Sequence, residues 1–174
     1  MVFCLLLAFS TGSMYAQSGI VKSVKQTLKI GDTYKLKIDP STAPYGSKGK
    51  TAPVYNDFKI VTSVDGSLTL SFETFAEMTT VALFNENGVS LEPASKEIVT
   101  GSIRWKYFGS GTYASTLQWN PTVEKLIGSF TFKLDAGTYY LRLHRSQKGL
   151  SNATISLTLK DLDGNEVNPT LFRP

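Results

Sequence analysis

The sequence contains very little of the chemistry that enzymes and metal sites usually need. Cys4 is its one cysteine and His144 its one histidine, which excludes disulfides within the chain and thiolate clusters for zinc. No nucleophile or orienting carboxylate is marked beside His144, so a surface histidine explains it better than a general base. Gly-x-Ser-x-Gly, His-Glu-x-x-His and phosphate-cradling glycine loops are also missing. We therefore expect a protein that is not an enzyme, with no catalytic residues, no metal and no cofactor.

Charge and long apolar runs are sparse as well. Charged residues make up 18% of the chain, the net charge is +4, and the basic residues are dispersed singly. Nucleic-acid binders show a clustered basic stripe instead. The longest apolar run, residues 2–9, is too short to cross a bilayer as a helix. The sequence therefore predicts neither a nucleic-acid partner nor a membrane span.

The first sixteen residues have the layout of a secretory signal peptide. Small and polar residues follow the apolar run, and Ala16 stands before Gln17. Cleavage after Ala16 would leave residues 17–174 without any cysteine. The alternative is a buried N-terminal strand or helix. We expect export, which places the protein outside the cell, at the cell surface or in the periplasm.

Apolar and polar residues alternate with a period of two along most of the chain, as they do in half-buried strands. Clean alternation of this kind belongs to antiparallel sheets with one wet face. No window of helical spacing interrupts it. The pattern predicts one all-β domain over residues 17–174, an antiparallel, jelly-roll-like β-sandwich of about eight or nine strands. The alternating apolar sets are Tyr34, Leu36, Ile38; Leu68, Leu70, Phe72; Ile103, Trp105, Tyr107; Phe130, Phe132, Leu134; and Ile155, Leu157, Leu159.

Glycine-containing pairs separate these runs. We expect them to supply the positive-φ positions of tight turns. Residues 39–55 are rich in proline and glycine and predict a long ordered loop. The glycine pairs are Asp65-Gly66, Asn87-Gly88, Ala136-Gly137 and Asp163-Gly164.

The order of these segments resembles that of bacterial pre-peptidase C-terminal domains. The family's strands follow one another in a fixed order. The first is acidic and aromatic, the second follows a glycine turn, the third ends in Asn-Gly, the fourth contains Ala-Gly-Thr-Tyr-Tyr, and a last strand closes the domain. They occupy residues 56–60, 64–72, 81–88, 130–143 and 153–159. The resemblance covers about residues 56–160 and leaves residues 96–125 as an insertion. It implies a jelly-roll-like sandwich that is non-catalytic and assists targeting, substrate contact or surface retention. Here no catalytic domain stands beside the module, so we expect it to act alone or in trans.

The insertion contains the candidate binding residues. Flat aromatic rings stack against the C–H faces of sugars, and polar neighbours bond their hydroxyls. We expect Tyr113 and Trp119 to contact a ligand together with Gln118, Asn120 and Arg104. For Trp105 and Tyr107 a place in the core is the better explanation, because strand aromatics are usually buried.

Residues 161–166 read Asp-Leu-Asp-Gly-Asn-Glu and bring several oxygen ligands close together. Calcium is one interpretation. The full EF-hand spacing and its flanking helices are missing, and a turn after the last strand explains the same residues.

Three classes of function remain open. We favour a secreted binding module for a glycan or cell-surface polymer. An adhesion or assembly protein with a cell-surface protein partner is the alternative. An enzyme comes third, since no acid–base pair or nucleophile can be named.

Overall fold

The structure, a computed structural model, describes residues 24–39, 55–74, 78–100, 102–108, 112–118, 126–145 and 151–167. The predicted signal peptide, residues 1–16, and nearly all of the predicted loop at 39–55 lie outside these ranges. The described residues form twelve strands. They are β1 (Val24–Leu28), β2 (Thr33–Ile38), β3 (Asn56–Thr62), β4 (Gly66–Thr74), β5 (Met78–Asn85), β6 (Ser90–Leu91), β7 (Ser95–Thr100), β8 (Ser102–Phe108), β9 (Thr112–Gln118), β10 (Leu126–Leu134), β11 (Gly137–Arg145) and β12 (Ser151–Asp161).

The strands form two sheets, which confirms the predicted all-β sandwich. The seven-stranded sheet has the order β1-β3-β11-β5-β9-β8, with β6 paired to β5, and the five-stranded sheet has the order β2-β12-β4-β10-β7. The chain changes sheet at most steps, so neighbouring strands are usually far apart in sequence. All pairs are antiparallel except β1 and β3. The strand count exceeds the predicted eight or nine because short segments such as β6 carry too few residues to show alternation.

One apolar layer lies between the two sheets. The inward residues of β3, β5 and β11 meet those of β2, β4, β10 and β12 in a single buried cluster. Phe72 and Phe130 stack within it, with ring centroids 5.3 Å apart. The apolar sets predicted on β4, β10 and β12 are all buried. No helix in the described ranges is long and apolar enough to cross a membrane.

Asn56 joins four segments at one end of the sandwich. Its Nδ2 donates to the carbonyls of Asp39 and Leu143, both at 3.2 Å. Its Oδ1 accepts from the Asp39 amide at 2.9 Å and from Lys25 Nζ at 2.7 Å. The buried amide thus uses its whole hydrogen-bonding capacity, which a buried polar group requires.

The predicted glycine turns are correct at two of the four positions. Gly88 and Gly164 have positive φ angles of 75° and 86°. Gly66 and Gly137 instead begin strands β4 and β11, and their φ angles lie outside the left-handed region. At Gly66 the requirement is space, since a Cβ there would lie 2.0 Å from the carbonyl oxygen of Lys160.

We expect Gly66→Ala to lower the free energy of unfolding by about 1–3 kcal/mol, as overpacking does, because the obstructing atom belongs to the backbone of β12. Gly137→Ala is the matched control, since the nearest atom to its Cβ would be a Tyr139 ring carbon at 3.9 Å. Urea denaturation measures both. Equal losses in the two variants would contradict the steric explanation.

Acid should weaken the same end of the sandwich that Asn56 joins. Lys25 hydrogen-bonds the carboxylate of Asp39 and holds its pKa below the ordinary value. A lowered pKa in the folded state stabilises the fold above the unfolded-state pKa, about 3.9. This stabilisation disappears as the pH falls through the folded-state pKa.

Asp39→Asn should therefore be less stable than the wild type at neutral pH by no more than about 1 kcal/mol, because exposed ion pairs are screened by solvent. The difference should vanish in acid. Chemical denaturation from pH 7 down to pH 2 tests this, because the range must extend below the lowered pKa of Asp39. A difference that does not depend on pH would refute the role of the ion pair.

Candidate functional site

The predicted binding residues lie on or beside a hairpin at the edge of the seven-stranded sheet. In the register of β8 with β9, Arg104 pairs with Thr116 and Tyr113 pairs with Tyr107. Gln118 ends β9 and pairs with Ser102 on one side and Met78 on the other. Trp119 and Asn120 lie outside the described residues. The fold thus brings Arg104, Tyr113 and Gln118 onto one hairpin, but the register assigns Arg104 and Gln118 to positions of one face and Tyr113 to a position of the other. Their part in binding stays a prediction.

A groove of about 360 Å³ opens on the outer face of the five-stranded sheet, where the sequence marked no site. Strands β4, β7, β10 and β12 all contribute to it. Its lining includes the hydroxyls of Ser71, Ser129, Thr154 and Ser156, the carboxylates of Glu73 and Glu97, and the apolar side chains of Val99 and Ile127.

The groove combines hydroxyls, carboxylates and an apolar wall. Ser71 and Glu97 are exposed, and Val99 is 65% exposed. Each serine or threonine hydroxyl has one donor and two acceptor positions, whereas a carboxylate only accepts. Ligand sites generally place a few polar groups on an apolar surface in this way.

The base of the hairpin lies next to this groove. Thr100, the last residue of β7, pairs with Ile127 in the groove. One residue separates Thr100 from Ser102, so at most about 7 Å of chain joins them. Ser102 in turn pairs with Gln118. The predicted hairpin site and the groove therefore occupy neighbouring parts of the molecule.

The acidic segment at 161–166 forms a turn. The Asp161 carboxylate accepts the Asn165 amide at 2.8 Å and Asn165 Nδ2 at 3.2 Å. These bonds lower the pKa of Asp161, and the bond from the Asn165 backbone amide has the largest effect. Within the described part of the chain, no group of three or more Asp, Glu, His or Cys side chains is arranged to hold a metal ion.

A buried ion pair on the seven-stranded sheet was missed by sequence reasoning. Arg142 stands between the buried residues Leu141 and Leu143 and is therefore on the outer face, yet it is only 8% exposed. Its Nε and Nη2 donate to Oδ1 and Oδ2 of Asp57, each at 2.7 Å, and Asp57 is fully buried. The guanidinium carbon lies 4.0 Å from the ring centre of Tyr55 and 5.3 Å from that of Phe84. A paired arginine between two rings is a structural element of this face, not an open binding group.

The fold is similar to that of proteins whose structures are known. The structure is similar to a crystal structure of the pre-peptidase C-terminal domain of a collagenase from Bacillus anthracis. The two are 14% identical, the match covers 77% of this chain and 95% of that one, and the TM-score is 0.42. No family model and no curated protein matches the sequence. This likeness says nothing about a ligand.

Removing one partner of a buried ion pair leaves the other charge uncompensated, which costs about 3–5 kcal/mol. We expect Asp57→Asn and Arg142→Met each to lower the free energy of unfolding by an amount of that order. The double variant should lose less stability than the sum of the two single losses, because it buries no lone charge. A double-mutant cycle in urea measures the coupling. Additive losses would show that the pair contributes no interaction of its own.

Proposed function

We propose that this protein is a secreted, non-catalytic module that binds polysaccharide through the outer face of its five-stranded sheet. The observation that carries the proposal is the groove in which Ser71, Ser129 and Ser156 lie beside the apolar pair Val99 and Ile127. A sugar presents hydroxyls around its edge and C–H groups on its faces. The groove offers a partner for each kind of group.

The hydroxyls of the groove suit a ligand that both donates and accepts hydrogen bonds. Ser71 and Ser129 pair directly across β4 and β10, so two hydroxyl-bearing residues stand side by side on the open face. Glu97 at the rim accepts from sugar hydroxyls, and bonds to a charged acceptor are stronger than neutral ones. Waters can bridge the remaining distances at little cost.

The hairpin residues extend this site in the proposal. Arg104, Tyr113, Trp119, Gln118 and Asn120 would supply the aromatic and polar contacts that the groove itself contains in small number. Trp and Tyr dominate many interfaces because one side chain provides a large contact area. The short connection from Thr100 to Ser102 supports a joint site, since it holds the base of the hairpin close to Ile127.

Export and lack of catalysis belong to the same proposal. The predicted signal peptide at 1–16 supports export, and the sequence names no nucleophile or acid–base pair. A module of this kind would attach itself, or a partner, to a surface polymer. An adhesion protein that binds another protein is the competing function, and the same experiment decides between them.

The test is a binding screen of residues 17–174 against neutral and anionic polysaccharides and against cell-surface proteins, by affinity electrophoresis and calorimetry. Saturable binding to a polysaccharide is the expected result. Binding to proteins alone would favour the adhesion function, and hydrolysis of a screened polymer would overturn the lack of catalysis.

Two tryptophan variants test the hairpin. Trp119→Ala should weaken polysaccharide binding and leave the melting temperature nearly unchanged. Trp105→Ala should instead destabilise the fold by about 3–5 kcal/mol, as truncation of a large core residue does. If Trp119→Ala unfolds the protein, Trp119 belongs to the core and the hairpin residues are wrongly assigned.

A further inference from the structure

We infer that the ligand is a linear, uncharged polysaccharide whose chain lies across the strands of the five-stranded sheet. This inference rests on the proposed function and deepens it, because it assigns a direction and a chemical class to the ligand. It follows from a row of side chains that the register aligns: Thr33, Ser156, Ser71, Ser129 and Glu97.

The row takes one residue from each of the five strands. Thr33 of β2 pairs with Ser156 of β12, which pairs with Ser71 of β4. Ser71 pairs with Ser129 of β10, and Ser129 pairs with Glu97 of β7. Adjacent strands are about 4.8 Å apart, so the four steps span about 19 Å. This length is that of an extended oligosaccharide and not of a single sugar.

A second row runs parallel to the first. Thr158, Thr69, Thr131 and Ser95 pair in sequence across β12, β4, β10 and β7. It lies two residues further along the strands, which corresponds to about 6.8 Å. The outer face is therefore a band of small hydroxyl side chains two rows wide.

The hydroxyls in the band keep capacity for a ligand. Thr33 and Ser156 share a hydrogen bond of 2.8 Å, and Thr69 and Thr131 share one of 3.1 Å. A shared bond uses one donor and one acceptor position, and each hydroxyl has three positions in all. These contacts orient the side chains and leave each hydroxyl further positions for hydrogen bonds.

The charges around the band favour a ligand without charge. Glu73 on the central strand β4 and Glu97 on the edge strand β7 both line the groove, so a polyanion meets like charge at these positions. Lys35 pairs with Thr154 of the groove, and Lys133 pairs with Ser67 on the same face, so a polycation meets like charge at these positions. An uncharged polysaccharide is repelled neither by the glutamates nor by the lysines.

The ends of the row favour the interior of a long chain over a chain terminus. Thr33 and Glu97 are both exposed. They lie on β2 and β7, the outermost strands of the sheet. A chain that lies along the row can therefore continue past both of these residues.

The test uses linear neutral oligosaccharides of increasing length, from the cello-, xylo- and chito- series, with calorimetry on the wild type, Ser71→Leu and Ser63→Leu. Ser71 is exposed at the centre of the row, and Ser63 is an exposed serine outside it. Affinity should rise with length and then level off. Ser71→Leu should weaken the longest ligand about tenfold, the equivalent of one lost hydrogen bond to a sugar, and Ser63→Leu should bind as the wild type does.

Carboxymethylated forms of the same polymers complete the experiment, and they should bind more weakly than the neutral ones. Unchanged affinity of Ser71→Leu, or preference for the charged form, would overturn the row and leave the proposed function standing. If the wild type binds no polysaccharide of any length or charge, the inference and the proposed function are both wrong.

Discussion

Burial of one apolar layer between two sheets determines where every other side chain of the described fold lies. Along β10, Phe130 and Phe132 enter this layer, and Ser129 and Thr131 therefore face outward. A slip of one residue would exchange the two sets and expose the stacked ring of Phe130. The cost of that exposure fixes the register, and the register in turn aligns hydroxyls from β4, β10 and β12 across the outer face. The groove is thus a consequence of the core.

The two outer faces of the sandwich differ in how they treat polar groups. On the five-stranded sheet, small hydroxyls remain in contact with solvent. On the seven-stranded sheet, Asp57 and Arg142 are withdrawn from solvent and satisfy each other through two hydrogen bonds. A buried charge is tolerated only when it is paired in this manner. The first face is suited to exchange water for a ligand, whereas the second is already occupied by its own contacts.

Sequence reasoning succeeds where a property is local. The alternation along β4 correctly places Leu68, Leu70 and Phe72 in the core, because side-chain direction depends only on position along the strand. It fails for Arg142, since alternation gives the face of a residue and not what covers that face. Sequence reasoning could not predict the rows of hydroxyls for another reason. Ser71, Ser129 and Ser156 come from three distant segments, and only the strand order makes them neighbours.

The insertion at 96–125 connects the predicted site with the observed groove. Most of β7 belongs to it, and β7 supplies Glu97 and Val99 to the groove rim. The rest of the groove comes from β4, β10 and β12, whose inward residues build the core. Glu97 and Val99 of β7 are both exposed. Binding residues concentrate on segments that a rigid scaffold holds in position. The core strands therefore provide a regular band of hydroxyls. Substitutions in the insertion can change the charge and shape of the groove rim without disturbing the apolar layer between the sheets.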